Sequence, residues 1–111
     1  MKRQSTIEVE LTTLGTFCRE TSVSRIDLLK LDVQGYELNV LKGARELLAG
    51  RRIGCLVLEV TFIPLYENQA TLHELTALLS DHQYDLMGFY NFAHSAHHRL
   101  LWCELMFSPH R

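Results

Sequence analysis

The sequence predicts an α/β fold: a partial doubly wound sheet of mostly parallel strands that ends in an antiparallel hairpin. The run from Leu28 to Ala44 is typical of a buried strand that ends in an acid, turns at a glycine and enters a helix. The run from Ile53 to Phe62 is almost continuously apolar, as in parallel strands covered on both faces. Two later strands flank a short polar loop, so that pair is expected to be antiparallel.

The first elements of the chain are short. Ile7–Leu11 alternates like a strand, and apolar residues at helical spacing predict a helix from Leu14 to about Thr21. The strand Ile26–Val33 is rich in leucine and supplies the first central strand of the sheet.

Two longer helices are predicted from their apolar faces. The first runs from Tyr36 to about Ala49 and stops at Gly50. Its stripe contains Val40, Leu41, Ala44, Leu47 and Leu48. The second helix follows a break at Pro64 and opens with the capping-box spacing of Thr71 and Glu74. Its inner face contains Leu72, Leu75, Leu78 and Leu79.

The last two strands are predicted at Tyr84–Tyr90 and Leu100–Phe107, around the loop HSAHHR. The resulting order is strand, helix, strand, helix, strand, strand. Right-handed crossovers through the two helices would make the first strands parallel. The 111 residues allow one domain, residues 1–111.

Composition excludes several functions. The net charge of −2 argues against a nucleic-acid partner, and no apolar run is long enough for a membrane span. The N-terminus has no apolar segment of a signal peptide, so a cytoplasmic protein is expected. Cys18, Cys55 and Cys103 form no CxxC pair and are expected to be reduced thiols.

Three segments carry a resemblance to a known family. They are IDLLKLDVQGYELNVLKGA, LVLEVTFIPLY and WCELMFSP. In the first, Asp32, Gln34, Gly35 and Glu37 stand at the positions of the family's most recognisable block, and Glu59 ends the family's next strand. The chain resembles the FkbM family of S-adenosylmethionine-dependent methyltransferases. The resemblance spans the C-terminal half of such a domain, which implies a Rossmann-like class I methyltransferase sheet without its cofactor-binding N-terminal half.

The resemblance implies a site at the carboxyl ends of the strands. Asp32 and Glu59 would be catalytic, orienting a hydroxyl acceptor or removing its proton, and Gln34 and Gly35 would contact S-adenosylmethionine. No metal site is expected. From the residues alone, Asp32 could instead cap the following helix, and Glu37 could be a first-turn acid that favours the helix N-terminus.

Two positions depart from the family pattern. Gly15 stands where the family usually has an acid, and Glu104 replaces its usual Asp. Outside the resemblance, His94, His97 and His98 have a spacing that would suit zinc on a helix, but their position between strands favours a solvated hairpin loop.

Three functional hypotheses follow. The chain is an O-methyltransferase fragment that is inactive alone, a non-catalytic dimeric binding module, or a minimal enzyme that borrows cofactor contacts from a partner chain. The strand edge Leu28–Val33 would lack its usual neighbour, so a homodimer is predicted through that edge or through bare helix faces. Ile7–Leu11 could cover the edge instead.

Overall fold

The computed structural model describes residues 14–32 and 35–111 and gives an α/β fold. In chain order its elements are α1 Leu14–Glu20, β1 Leu29–Leu31, α2 Glu37–Lys42, α3 Arg45–Ala49, β2 Leu56–Thr61, α4 Leu72–Asp81, β3 Tyr84–His94 and β4 Leu100–Pro109. The predicted element order is confirmed. The predicted strand Ile7–Leu11 lies outside the described residues, as do Val33 and Gln34.

The described strands form one four-stranded sheet in the order β1-β2-β4-β3. β1 and β2 are parallel, whereas β4 is antiparallel to both β2 and β3. The antiparallel hairpin is therefore confirmed, but the prediction of mostly parallel strands is wrong. The reason is topological: β4 returns from the hairpin and inserts between β2 and β3, so the crossover through α4 does not produce a parallel neighbour pair.

The core lies between the helices and one face of the sheet. Alternate residues of β2 and β4 are buried on that face: Leu56, Leu58, Val60, Cys103, Leu105 and Phe107. Leu41, Leu47, Leu48, Leu75 and Leu79 pack on them from α2, α3 and α4. The remaining β2 residues, Val57, Glu59 and Thr61, are partly exposed on the opposite face. Burial of β2 on both faces is thus not seen in the described residues, and a doubly wound, Rossmann-like sheet is not confirmed by them.

The helix predicted from Tyr36 to Ala49 is two helices. Gly43 and Ala44 interrupt it, and the carbonyl oxygen of Gly43 accepts a hydrogen bond from the N–H of Gly15 at 3.0 Å. In a continuous helix that carbonyl would bond four residues ahead along the chain. Gly15 permits this approach because an added Cβ would lie 2.9 Å from the Gly43 oxygen. The predicted apolar stripe still faces the core.

Local hydrogen bonds fix the last helix and its junction with the sheet. Thr71 Oγ1 accepts from the Glu74 N–H, and Glu74 Oε1 accepts from the Thr71 N–H, both at 3.1 Å, which confirms the predicted capping box. Tyr84, buried at the start of β3, donates from its hydroxyl to the Ile53 carbonyl at 2.8 Å and accepts from the Ile53 N–H at 3.2 Å. These bonds satisfy a backbone segment that lies in the core.

Candidate functional site

Three carboxylates lie close together on the open face of the sheet, and we call them the acidic rim: Asp32, Glu59 and Glu104. Asp32 is exposed directly after β1, and Glu59 is partly exposed in the parallel strand β2. The prediction that Glu59 ends its strand is wrong, because Val60 and Thr61 continue β2 through their pairing with β4. Burial raises the pKa of the Glu59 carboxyl above its ordinary value, and the negative charge of Asp32 raises this pKa further. Glu37 and Glu104 act in the same direction, whereas Lys30 opposes them. The structure thus brings Asp32 and Glu59, the predicted catalytic pair, within electrostatic reach of each other.

Glu104 is a carboxylate of the rim that has both a hydrogen-bond partner and a charged partner. It pairs in register with Glu59 across β2 and β4. Asn91 Nδ2 donates to its Oε1, and Lys30 Nζ lies 3.5 Å from its Oε2. The Asn91 hydrogen bond is the main cause that lowers the pKa of Glu104, against a smaller increase from burial. Adjacent carboxylates therefore have opposite tendencies: Glu104 holds its charge, and Glu59 holds a proton more readily.

The helix that follows Asp32 does not use it as a cap. α2 begins at Glu37, its N-cap residue is Tyr36, and that position makes no side-chain capping hydrogen bond. Glu37 is a first-turn acid, as predicted, but it is buried. The alternative in which Asp32 serves only to cap the helix is therefore not supported, and its carboxylate faces solvent beside Glu59.

Gly35 joins the rim to the loop between β2 and α4, residues 62–71, which we call the β2–α4 loop. Its φ of +94° favours glycine, and an added Cβ would lie 2.9 Å from Gln69 Cβ and 3.1 Å from Tyr66 Cδ2. Gly35 is thus required for close packing; its predicted cofactor contact stays a prediction. Gln34, the other predicted cofactor residue, lies outside the described residues.

An open groove of about 700 Å³ begins where β2 ends. Its walls are mostly apolar and include Phe62, Ile63, Pro64 and Leu72, with His73 among the polar residues. The groove shares Thr61 with the open face of β2 that carries Glu59. A concave, mainly apolar surface beside a few carboxylates has the general character of a small-molecule site.

Comparison with known proteins identifies the family. A family model of the methyltransferase FkbM domain matches residues 1–86. The chain belongs to the FkbM methyltransferase family. The 2-O-methyltransferase NoeI of Sinorhizobium fredii is 37% identical over 73 residues, which are 66% of this chain and 29% of that relative. The chain thus spans less than a third of the relative's length. No solved structure matches the chain.

Three of the six histidines of this FkbM-family chain lie at the hairpin, as the sequence predicted. His94 ends β3, and His97 and His98 lie in the turn, where Ser95 Oγ accepts from the N–H groups of His97 and Arg99 at 3.2 Å. In the described part of the chain, no group of three or more His, Cys, Asp or Glu is arranged to hold a metal. None of the described helices is long and apolar enough to cross a membrane.

Gln69 and Asn91 both organise this candidate site, and neither was predicted from the sequence. Asn91 reaches Glu104 where the β3–β4 register shifts between Tyr90 and Ala93. Gln69 hydrogen-bonds the backbone of its own loop. Neither role has a sequence signature, because each depends on a bulge or loop conformation that appears only in the fold.

Proposed function

We propose that this chain provides the acceptor side of an S-adenosylmethionine-dependent O-methyltransferase with a Rossmann-like domain, and that its substrate is a small-molecule hydroxyl. The observation that carries the proposal is the position of Glu59, which lies beside Asp32 and on the same face of β2 as Thr61, a residue that lines the groove. Family membership supports methyl transfer, and the relative NoeI is named as a 2-O-methyltransferase.

Glu59 has the properties of a proton acceptor for a hydroxyl. Burial and the neighbouring charge of Asp32 raise its pKa, which makes its carboxylate a stronger base than an ordinary glutamate. The hydroxyl would lie at the rim while the rest of the acceptor occupies the groove. In this arrangement Asp32 orients the hydroxyl, and the Asn91 hydrogen bond keeps Glu104 ionised so that it does not compete for the proton.

Asp32 and Glu59 suit the positively charged sulfonium of S-adenosylmethionine. S-adenosylmethionine carries a positive sulfonium and supplies the methyl group, and the carboxylates of Asp32 and Glu59 favour a positive charge beside them. The remaining cofactor contacts require more than these residues. Neither Gly35 nor Gly43 lies in a glycine-rich strand-to-helix turn of the kind that binds nucleotides. We therefore infer that the chain alone is not competent for methyl transfer.

A chimera tests this proposal. When this chain replaces the matching part of NoeI, we expect methyl transfer to the acceptor of NoeI. Glu59→Gln in the chimera should lower kcat by a factor of about 100 or more, the usual contribution of a general base. Glu67→Gln, an exposed carboxylate outside the groove lining, is the matched control. A chimera that folds and binds S-adenosylhomocysteine but keeps full activity with Glu59→Gln would contradict the role of Glu59.

Calorimetric titration of the unmodified chain with S-adenosylhomocysteine tests its competence alone. We expect no binding up to millimolar concentration. Micromolar binding, with the mass in solution determined on the same sample, would instead show that the chain or its oligomer completes the cofactor site. That result would favour the minimal-enzyme hypothesis over the fragment.

A further inference from the structure

The β2–α4 loop is organised around the side chain of Gln69. Its Oε1 accepts from the N–H groups of Leu65 at 3.0 Å and Tyr66 at 2.9 Å. Its Nε2 donates to the carbonyls of Ile63 at 2.9 Å and Thr61 at 3.3 Å. A glutamine amide has one oxygen that can accept two bonds and two N–H donors, so backbone groups of the loop and of Thr61, the last residue of β2, occupy its whole capacity.

The same residue lies against Gly35. The Gly35 Cα packs close to Gln69 Cβ, since an added Cβ there would lie at only 2.9 Å. The next residue, Ala70, donates its N–H to the Gly35 carbonyl at 2.9 Å. Gly35 therefore contacts the loop at two successive residues, Gln69 and Ala70, and its lack of a side chain permits the close approach.

We propose that Gln69 is a positioning residue: it holds the β2–α4 loop as one wall of the groove and fixes that groove against Gly35. Because the Gln69 amide is fully bonded to backbone groups, it acts through the shape of the groove and not by contacting a ligand. The groove volume lies within the range of about 300–1,000 Å³ that is usual for small-molecule sites.

The chemistry of the walls indicates the class of ligand. Apolar side chains form most of the surface, while the carboxylates of the acidic rim lie at the β2 end. We assign the groove to the apolar part of a small molecule whose hydroxyl reaches the rim. This assignment rests on the proposed function; the role of Gln69 in shaping the loop does not.

Hydrogen exchange measures the role of Gln69 in the loop. Gln69→Ala should accelerate exchange of the Leu65 and Tyr66 amides about 10-fold or more, because both lose their acceptor. Gln69→Glu keeps an acceptor for these amides but faces a carboxylate oxygen toward the Ile63 and Thr61 carbonyls. Exchange in β4 should stay unchanged in both variants, which separates a local effect from unfolding. Glu67→Gln, in the same loop, is the control.

Binding of n-octyl β-D-glucoside below its micelle concentration tests the groove. The probe is followed by NMR through the methyl groups of Ile63 and Leu72, which line the groove. We expect Gln69→Ala to raise Kd about 10-fold or more, and Gln69→Glu to raise it at pH 7.5. Since protonation returns an O–H donor to Gln69→Glu, its affinity should recover toward the wild-type value at pH 4.5. The uncharged probe and the wild-type chain at both pH values control for other effects of acid.

The outcomes separate this inference from the proposed function. Unchanged loop exchange and probe affinity in Gln69→Ala, with β4 intact, would overturn the positioning role. If Gln69→Ala does not fold, the test is whether Gln69→Glu regains affinity for the probe at pH 4.5. A variant that does not regain affinity would overturn the positioning role of Gln69. A wild-type chain that does not bind the probe overturns the groove assignment. An inactive NoeI chimera beside a chain that binds the probe would overturn methyl transfer and leave Gln69 in its role.

Discussion

At the scale of single residues, two carboxylates of the acidic rim have opposite pKa shifts. They are Glu59 and Glu104, which pair in register across β2 and β4. Glu104 has hydrogen-bonding and charged partners that favour its ionised form, whereas Glu59 has partial burial and negative neighbours. Such opposed environments are how protein sites assign different protonation behaviour to chemically similar groups. The same environment that makes Glu59 a better base also makes its ionisation unfavourable for the fold.

We therefore expect Glu59→Gln to increase the free energy of unfolding at neutral pH. A carboxyl whose pKa is raised in the folded state costs stability as the pH rises through that pKa, since the unfolded chain ionises more readily. The gain should disappear as the pH falls below the ordinary value of 4.5, where wild type and variant are both uncharged. Urea unfolding at several pH values measures the difference.

The control for this experiment is Glu67→Gln, which removes the same charge at an exposed position. Its effect on stability should be small at every pH, because exposed charges contribute little. A Glu59→Gln variant that is less stable than wild type at pH 7 would show that the carboxylate makes a stabilising interaction stronger than its unfavourable environment.

Gly35→Ala should destabilise the fold by more than about 1 kcal/mol. The left-handed φ of +94° disfavours a Cβ, and that Cβ would also press on Gln69 and Tyr66. Gly50→Ala is the matched control, because Gly50 has a negative φ and its nearest neighbour is the flexible Arg52 side chain. Thermal or urea unfolding measures both; equal losses at the two positions would contradict the account given for Gly35.

At the scale of secondary-structure elements, α4 shows how far local sequence determines a helix. Its N-terminus is fixed by a capping box between Thr71 and Glu74, and its buried side is formed by leucines at helical spacing. Both features use only residues a few positions apart, so both were predicted from sequence. The division between α2 and α3 was missed because its cause, the bond from Gly15 to Gly43, joins distant parts of the chain.

Thr71→Ala should lower the free energy of unfolding by about 1 kcal/mol, the usual cost of losing an N-cap side chain. Thr76→Ala is a control within the same helix. The Thr76 hydroxyl bonds only to carbonyls of the preceding turn, and alanine is the better helix former. We expect little loss or a small gain there. If both variants lose equal stability in urea unfolding, the capping box is not what stabilises the start of α4.

At the scale of the whole molecule, the described sheet has two unpaired edges. β1 is short, and Leu28 beside it is 60% exposed; β3 is long, and its Met87 is 56% exposed. Exposed strand edges with apolar residues favour pairing with another chain. The homodimer predicted from the edge Leu28–Val33 stays a prediction, and β3 supplies a second surface through which two copies could meet.

Sedimentation of the purified chain at micromolar concentration tests the dimer. We expect a dimeric mass for the wild type and a monomeric mass for Leu28→Lys, because a charge would have to be buried at the β1 edge. Met87→Lys is the matched substitution on β3. If Met87→Lys dissociates the dimer and Leu28→Lys does not, the interface lies at β3. A monomeric wild-type chain would contradict the predicted dimer.

The sequence by itself determined the α/β class, the element order, the capping box, the family and the carboxylates of Asp32 after β1 and Glu59 in β2. These depend on periodicity, on short spacings or on the residue types of a motif. Only the tertiary structure decided that β4 inserts beside β2, that Glu59 and Glu104 are neighbours with opposite pKa shifts, and that the Gln69 amide bonds the backbone around the β2–α4 loop. Each of these depends on long-range register and on backbone groups, whose positions are not encoded by any local pattern of side chains.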